Sequence, residues 1–204
     1  FFIFLLISKY SHKIRGGALL DKDFLKPQAF HDFPVTRSGG IAVIISLSVF
    51  FVIYYLLYSK ILYNYILVSY SVFFVGFLDD LKINVKPFKR LLVMIFLLFT
   101  IINFLPIKIL NIDIPLLTSL MSNNMFSAIF VLLCFLFVIN GANLIDGFNG
   151  LLTINLIIIN TILAYININS QNLEFSILVI SQIIVLLSFL SFNFPNAKIF
   201  LGDS

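Results

Sequence analysis

The sequence predicts an all-α fold, a polytopic bundle of transmembrane helices, on three observations. Hydrophobic residues make up 61% of the 204-residue chain and charged residues 11%, against roughly half and a quarter in soluble domains. The mean hydropathy is +1.10. The apolar residues also fall in runs of about 20, enough to cross a bilayer core of about 30 Å, and not in the alternating ~10-residue segments of a membrane barrel. The net charge of +4 does not call for a nucleic-acid partner, because the basic residues lie between the apolar runs, where membrane topology accounts for them. The single cysteine, Cys134, reads as a small buried hydrophobe within a span, which leaves no disulfide framework or thiolate metal pair.

Taken in order, Phe1–Ser8 is too short to span and reads as the tail of a transmembrane helix, since no charged region precedes it as in a signal peptide. Complete spans are expected at Gly39–Ser59, Ile61–Leu78, Leu91–Ile107, Met125–Ile139, Leu151–Ile168 and Phe175–Phe192. That makes about six full spans plus one partial. Residues 1–204 thus read as one integral membrane domain and, from the missing initiator Met and the abrupt "FLGDS" end, as a piece of a longer protein. The 106–124 connection alternates around "KILNIDI" and predicts a short hairpin. Asn155, Asn160 and Gln182 within spans predict hydrogen bonds between helices.

Lys and Arg placement sets the orientation. Eleven of the thirteen lie in the loops 9–38, 79–90 and 193–204, and only Lys60 and Lys108 lie in the loops between. The first group is therefore cytoplasmic, and so is the fifth loop, "GANLIDGFNG" at 141–150. Asp79, Asp80, Asp146 and Asp203 then share one membrane face, while Asp113 and Glu174 lie on the other.

Ionisable groups at the membrane boundary after an apolar run such as "SVFFVGFL" are functional candidates. Adjacent Asp79 and Asp80 repel unless a cation or basic groups compensate. Oxygen ligands without a His or Cys cluster suit Mg2+ or Mn2+, and Mg2+ leaves positions open for substrate phosphates. Arg37 and Lys86, with Lys82, supply complementary charge, Arg in a bidentate manner; Lys89 and Arg90 read as topological. Glycines 141, 147 and 150 allow tight turns and close approach to a ligand. His12 and His31 lie in the long first loop. The residues alone therefore point to a divalent-metal site for a phosphorylated substrate at the cytoplasmic membrane surface.

Four segments carry a resemblance. They are "PVTRSGGIAV" (34–43), "GFLDDL" (76–81) with "VKPFKRLL" (85–92), "NGANLIDGFNGL" (140–151) and "FNFPNAKIFLGDS" (192–204). In order and spacing the chain resembles the polyprenyl-phosphate N-acetylhexosamine-1-phosphate transferases of glycosyltransferase family 4. The resemblance implies a bacterial cytoplasmic-membrane enzyme that moves a sugar 1-phosphate from a UDP-N-acetylhexosamine to polyprenyl phosphate with Mg2+ and releases UMP. It thereby starts a lipid-linked envelope glycan. Membrane lipids, the lipid acceptor and the nucleotide donor are the implied partners; the oligomeric state is not readable from the sequence, and a homodimer stays open.

By the same resemblance, Asp79 engages or deprotonates the acceptor phosphate, Asp80 beside it supports the metal or that same step, Asp203 binds the metal, and Asp146 belongs to the catalytic set. Asn143, Asn149 and Asn193 line the nucleotide pocket, and Lys86 and Arg37 contact phosphates. The chain departs from the family in having Asn149 where an aspartate is usual, and in ending before the family's His-rich loop. The form of "NLIDGFNGL" looks more like the members that start O-antigen or teichoic acid than like the muramoyl-pentapeptide enzyme. Two other readings stand beside this one. An inactive or regulatory homologue would fit Asn149, and an ion-coupled transporter would fit intramembrane Asp with Gly and Asn, although the carboxylates gather at one face and no inverted repeat is visible.

Overall fold

The computed structural model describes residues 1–11, 19–21, 34–81, 87–105, 109, 112, 114–146 and 148–203. In chain order these form α1 (Phe2–Tyr10), β1 (Leu20–Asp21), β2 (Val35–Arg37), α2 (Gly39–Tyr58), α3 (Tyr63–Asp80), α4 (Pro87–Phe104), α5 (Pro115–Met121), α6 (Asn124–Ile145), α7 (Leu151–Asn169), α8 (Leu173–Asn193) and β3 (Ile199–Phe200). A helix covers most of the described residues of each expected span. Among the described residues, α2, α6, α7 and α8 are long and apolar enough to cross a membrane, and α3 carries a shorter apolar stretch, Tyr63–Leu78. The all-α membrane class holds. The chain divides into two compact units, Phe1–Ile83 with Ile145–Ser204, and Asn84–Leu144.

In the first unit, α8 packs against α7, α2 and α1. Its buried Leu178, Val185, Phe189 and Phe192 recur at helical spacing along one stripe. At one end Val185, Phe189 and Phe192 meet Phe4, Ala42 and Ile199. At the other, Leu178 and Val179 meet Tyr54, Leu62 and Ala164. In lipid the gain from such contacts is close packing rather than water exclusion. Lys60 and Glu174 form an ion pair at the second end, joining the α2–α3 turn to the start of α8. The helices α2, α3, α7 and α8 therefore alternate in direction.

Helical spans leave no backbone group to lipid, and their polar side chains follow the same rule. Asn155 and Asn160 donate to Leu151 O and Leu156 O of their own helix, each at 2.8 Å. They were expected to bond between helices; the carbonyl one turn back is simply the nearest acceptor.

A three-stranded sheet at the first end of this unit was not expected. The order is β1-β2-β3, with β1 antiparallel to β2 and β2 parallel to β3. Thr36 pairs with Ile199 and Arg37 with Phe200. A hydroxyl chain ties α1 to it, Ser11 Oγ to Thr36 Oγ1 at 2.9 Å and Thr36 Oγ1 to Ser38 Oγ at 3.0 Å, all buried.

In the second unit, Pro115 opens α5, where its missing N–H is no loss. The expected hairpin over 106–124 is thus replaced, in its described part, by a helix; most of "KILNIDI" lies outside the described residues. Cys134 is exposed on α6 rather than buried. The helix α6 also runs to Ile145, six residues past the expected end. Gly141 is therefore helical, with nothing within 4 Å of where a Cβ would stand, and it makes no turn. A single helical glycine costs about 1 kcal/mol, less than the several kcal/mol of leaving backbone groups unpaired in lipid.

Candidate functional site

The functional candidates converge where the sheet meets the ends of the helices of the first unit. α3 ends on Asp79 and Asp80, two carboxylates at the negative end of a helix dipole, a placement that disfavours the helix. Something other than helix stability holds them there. Asp80 is buried, 2% exposed, and its Oδ1 accepts the backbone N–H of Asp203 at 2.9 Å. Gly202, with φ +84°, lies so close that a Cβ would stand 2.7 Å from both Asp80 carboxylate oxygens. The helical backbone of Asp79 is described; its side chain lies outside the described residues.

β2 and β3 bring Arg37 to the same place. Leu201 O accepts the N–H of Gly40 at 2.8 Å, so the segment after β3 lies along the entry to α2. Arg37 Nη1 then stands 3.9 Å from Asp203 Oδ2, with both side chains partly open to solvent. Asp146, in the turn after α6, is the third carboxylate. Its pKa is pushed up to about 7, chiefly by burial and next by the negative charge of Asp203, with the Arg37 cation opposing. Crowded carboxylates of this kind gain from a nearby cation.

The turn at residues 149–150 is tied to the chain around β3. Gly150, with φ +76°, caps α7 in a left-handed conformation, as the tight-turn expectation requires. Its N–H donates to Asn193 Oδ1 at 2.6 Å, and Asn193 Nδ2 donates to Ile199 O at 3.0 Å. Asn149 Nδ2 donates to Pro195 O at 3.0 Å. Both amides, expected to line the nucleotide pocket, thus fasten the α7 entry to the chain around β3. We expect Asn193→Ala to leave a buried donor and a buried acceptor without these partners. At about 1–3 kcal/mol per group, thermal unfolding in detergent should fall by several degrees, with helicity retained in the folded state.

The structure therefore draws together Arg37, Asp80, Asp146, Asp203, Asn149 and Asn193. Asn143 is exposed on the last turns of α6, in the second unit. Lys86, Lys82, His12, His31 and Gly147 lie outside the described residues. Sequence reasoning missed Gly202 and the sheet. Asp146 and Asp203 are the described carboxylates open to a hard divalent cation, and an all-oxygen set suits Mg2+; among the described residues no three such side chains converge as a metal cluster.

The family model described as glycosyl transferase family 4 matches residues 62–204. The chain belongs to glycosyl transferase family 4. It is similar to the phospho-N-acetylmuramoyl-pentapeptide-transferase of Streptococcus sanguinis strain SK36, 30% identical over 96% of this chain and 62% of that one. The enzyme of the same name from Clostridium perfringens strain 13 is 32% identical over 64% of this chain and 44% of the relative. That of Streptococcus thermophilus CNRZ 1066 is 36% identical over 63% and 40%. The chain spans about half the length of the curated relatives it matches. The family match covers three of the four motif segments, and the Streptococcus sanguinis alignment extends over nearly all of this family 4 chain.

Proposed function

We propose that the full-length protein transfers an N-acetylated sugar 1-phosphate from a UDP-sugar to polyprenyl phosphate at the cytoplasmic face of the bacterial membrane, as a step of cell-wall biogenesis. The observation that carries this reading is the convergence of Arg37, Asp146 and Asp203 at one end of the spanning helices. A lipid acceptor needs a site at the membrane boundary, and a nucleotide donor needs that boundary to be cytoplasmic. An acceptor phosphate oxygen attacks the sugar-side phosphorus of the donor. The bond from that phosphorus to the bridging oxygen breaks, and UMP leaves with the electron pair.

A phosphate monoester is already largely dianionic at pH 7, so the acceptor needs positioning more than deprotonation. Catalysis is then orientation and charge neutralisation. Arg37 would grip a phosphate through its guanidinium fork. Asp203 and Asp146 would hold Mg2+, which when bound supplies charge neutralisation for the donor pyrophosphate, and Asp79 would face the acceptor. Asn143 and Lys86 would belong to the nucleotide and phosphate contacts.

The relatives' shared name makes UDP-N-acetylmuramoyl-pentapeptide the first donor to test, ahead of the O-antigen and teichoic-acid donors. The test is UMP release by membranes holding the full-length protein, with polyprenyl phosphate, Mg2+ and a panel of UDP-N-acetyl sugars. Magnesium-dependent release with the muramoyl-pentapeptide donor alone is the expected result. Release with N-acetylglucosamine alone would move the protein to another branch of the family. No release from folded, inserted protein would leave the inactive homologue standing.

A further inference from the structure

We infer that Asp80 is a positioning residue: its carboxylate holds the Asp203 segment in place through the Asp203 backbone N–H, and it is not itself a metal ligand or a base. The inference rests on the proposed transferase site and assigns a different task to one of the two adjacent aspartates. Three features of the geometry carry it. Asp80 is 2% exposed, whereas Asp203 and Arg37 reach solvent. Asp80 Oδ1 is engaged by the N–H of Asp203 at 2.9 Å. Both of its oxygens also lie against Gly202, so closely that a Cβ there would stand 2.7 Å from each. A carboxylate covered in this way by the chain's own backbone presents itself to that backbone, and a ligand would have to displace the 202–203 segment to reach it.

The arrangement also explains why a charge sits buried at the unfavourable end of α3. A carboxylate accepting a backbone N–H makes a charge-assisted bond, about twice as strong as a neutral one. It fixes the main chain of Asp203 just beyond the end of β3. Arg37 reaches the Asp203 side chain from the other direction. The backbone of Asp203 is thus set by Asp80, which leaves its carboxylate to face the site.

The experiment compares Asp80→Asn with Asp80→Ala in the full-length protein. Asparagine keeps an acceptor oxygen of the same size and loses the charge; alanine loses both. Two readouts do not depend on turnover: hydrogen exchange of the peptide covering 198–203, and binding of Mn2+ followed by its electron paramagnetic resonance signal. Asp80→Asn should retain the slow exchange of this peptide and bind Mn2+ within about threefold of the parent. Asp80→Ala should lose the protection and bind Mn2+ at least tenfold more weakly, through misplacement of Asp203. Turnover should fall much further in Asp80→Ala than in Asp80→Asn. Equal loss of Mn2+ binding in both variants with the peptide still protected would make the charge itself the metal ligand and overturn the inference. Parent-like exchange and Mn2+ binding in Asp80→Ala would overturn it too. Absence of transferase activity in the parent, with these two readouts as expected, would count against the proposed function alone.

Discussion

Asp203→Asn should lower the rate of UMP release by about a hundred- to a thousandfold, the range seen when one preorganised electrostatic group is removed from a phosphoryl- or acyl-transfer site. The substitution keeps the size of the side chain and an acceptor oxygen, and the Asp203 backbone N–H that Asp80 accepts is untouched. Segment 198–203 should therefore stay in place, and thermal unfolding should move by no more than a few degrees. The nearby ion pair gives little reason to expect otherwise: at 3.9 Å between partly exposed side chains, Arg37 and Asp203 form a weak pair. What the variant removes is one of the negative charges that a divalent cation would bind and that now raises the Asp146 pKa. Steady-state UMP release at several Mg2+ concentrations checks this. A loss that high Mg2+ partly reverses is expected; wild-type turnover in Asp203→Asn would remove Asp203 from the chemistry.

The spans were legible because lipid imposes one rule on every residue of a run. A stretch such as Leu173–Asn193 has to be helical and apolar whatever it packs against. Their ends were less legible. Nothing in "NGANLI" shows that α6 continues through Gly141, since in water those residues would favour a loop. The carboxylates were legible by their isolation, and the grouping of Asp80, Asp146 and Asp203 followed from alternating topology alone.

The sheet was not legible. Leu20–Asp21, Val35–Arg37 and Ile199–Phe200 are two or three residues each, too short for alternation to register, and β2 and β3 pair across more than half the chain. With the sheet hidden, the partners of individual polar groups were hidden too. Asn193 and Asn149 were placed in the nucleotide pocket by resemblance alone, and the pattern gave no sign that their amides also bond backbone N–H and carbonyl groups of the chain itself. Nor could the pattern tell that Asp80 turns inward. That depends on where Asp203 arrives from the far end of the chain.

Gly202→Ala should be a severely damaging single-methyl change in the site. At φ +84° any side chain is strained, at a cost on the order of 1–3 kcal/mol. The new Cβ would also fall 2.7 Å from both oxygens of Asp80 and 2.9 Å from its Cγ. The overlap has few ways to relax. Asp80 is buried at the end of α3 and has no open side to swing into. On the other side the chain is pinned by β3 and by the Gly40 N–H to Leu201 O bond at 2.8 Å. Residues 202 and 203 must therefore shift, taking the Asp203 carboxylate with them. A misplacement of about 1 Å is enough to cost about a hundredfold in rate. Unlike Asp203→Asn, this variant should also unfold at a temperature several degrees lower and lose exchange protection over 198–203. Gly141→Ala is the control, because its Cβ meets nothing within 4 Å inside a regular helix. It should be neutral or stabilising by up to about 1 kcal/mol. If the two alanine variants behaved alike in thermal unfolding and UMP release, the close approach of Gly202 to Asp80 would have no functional consequence.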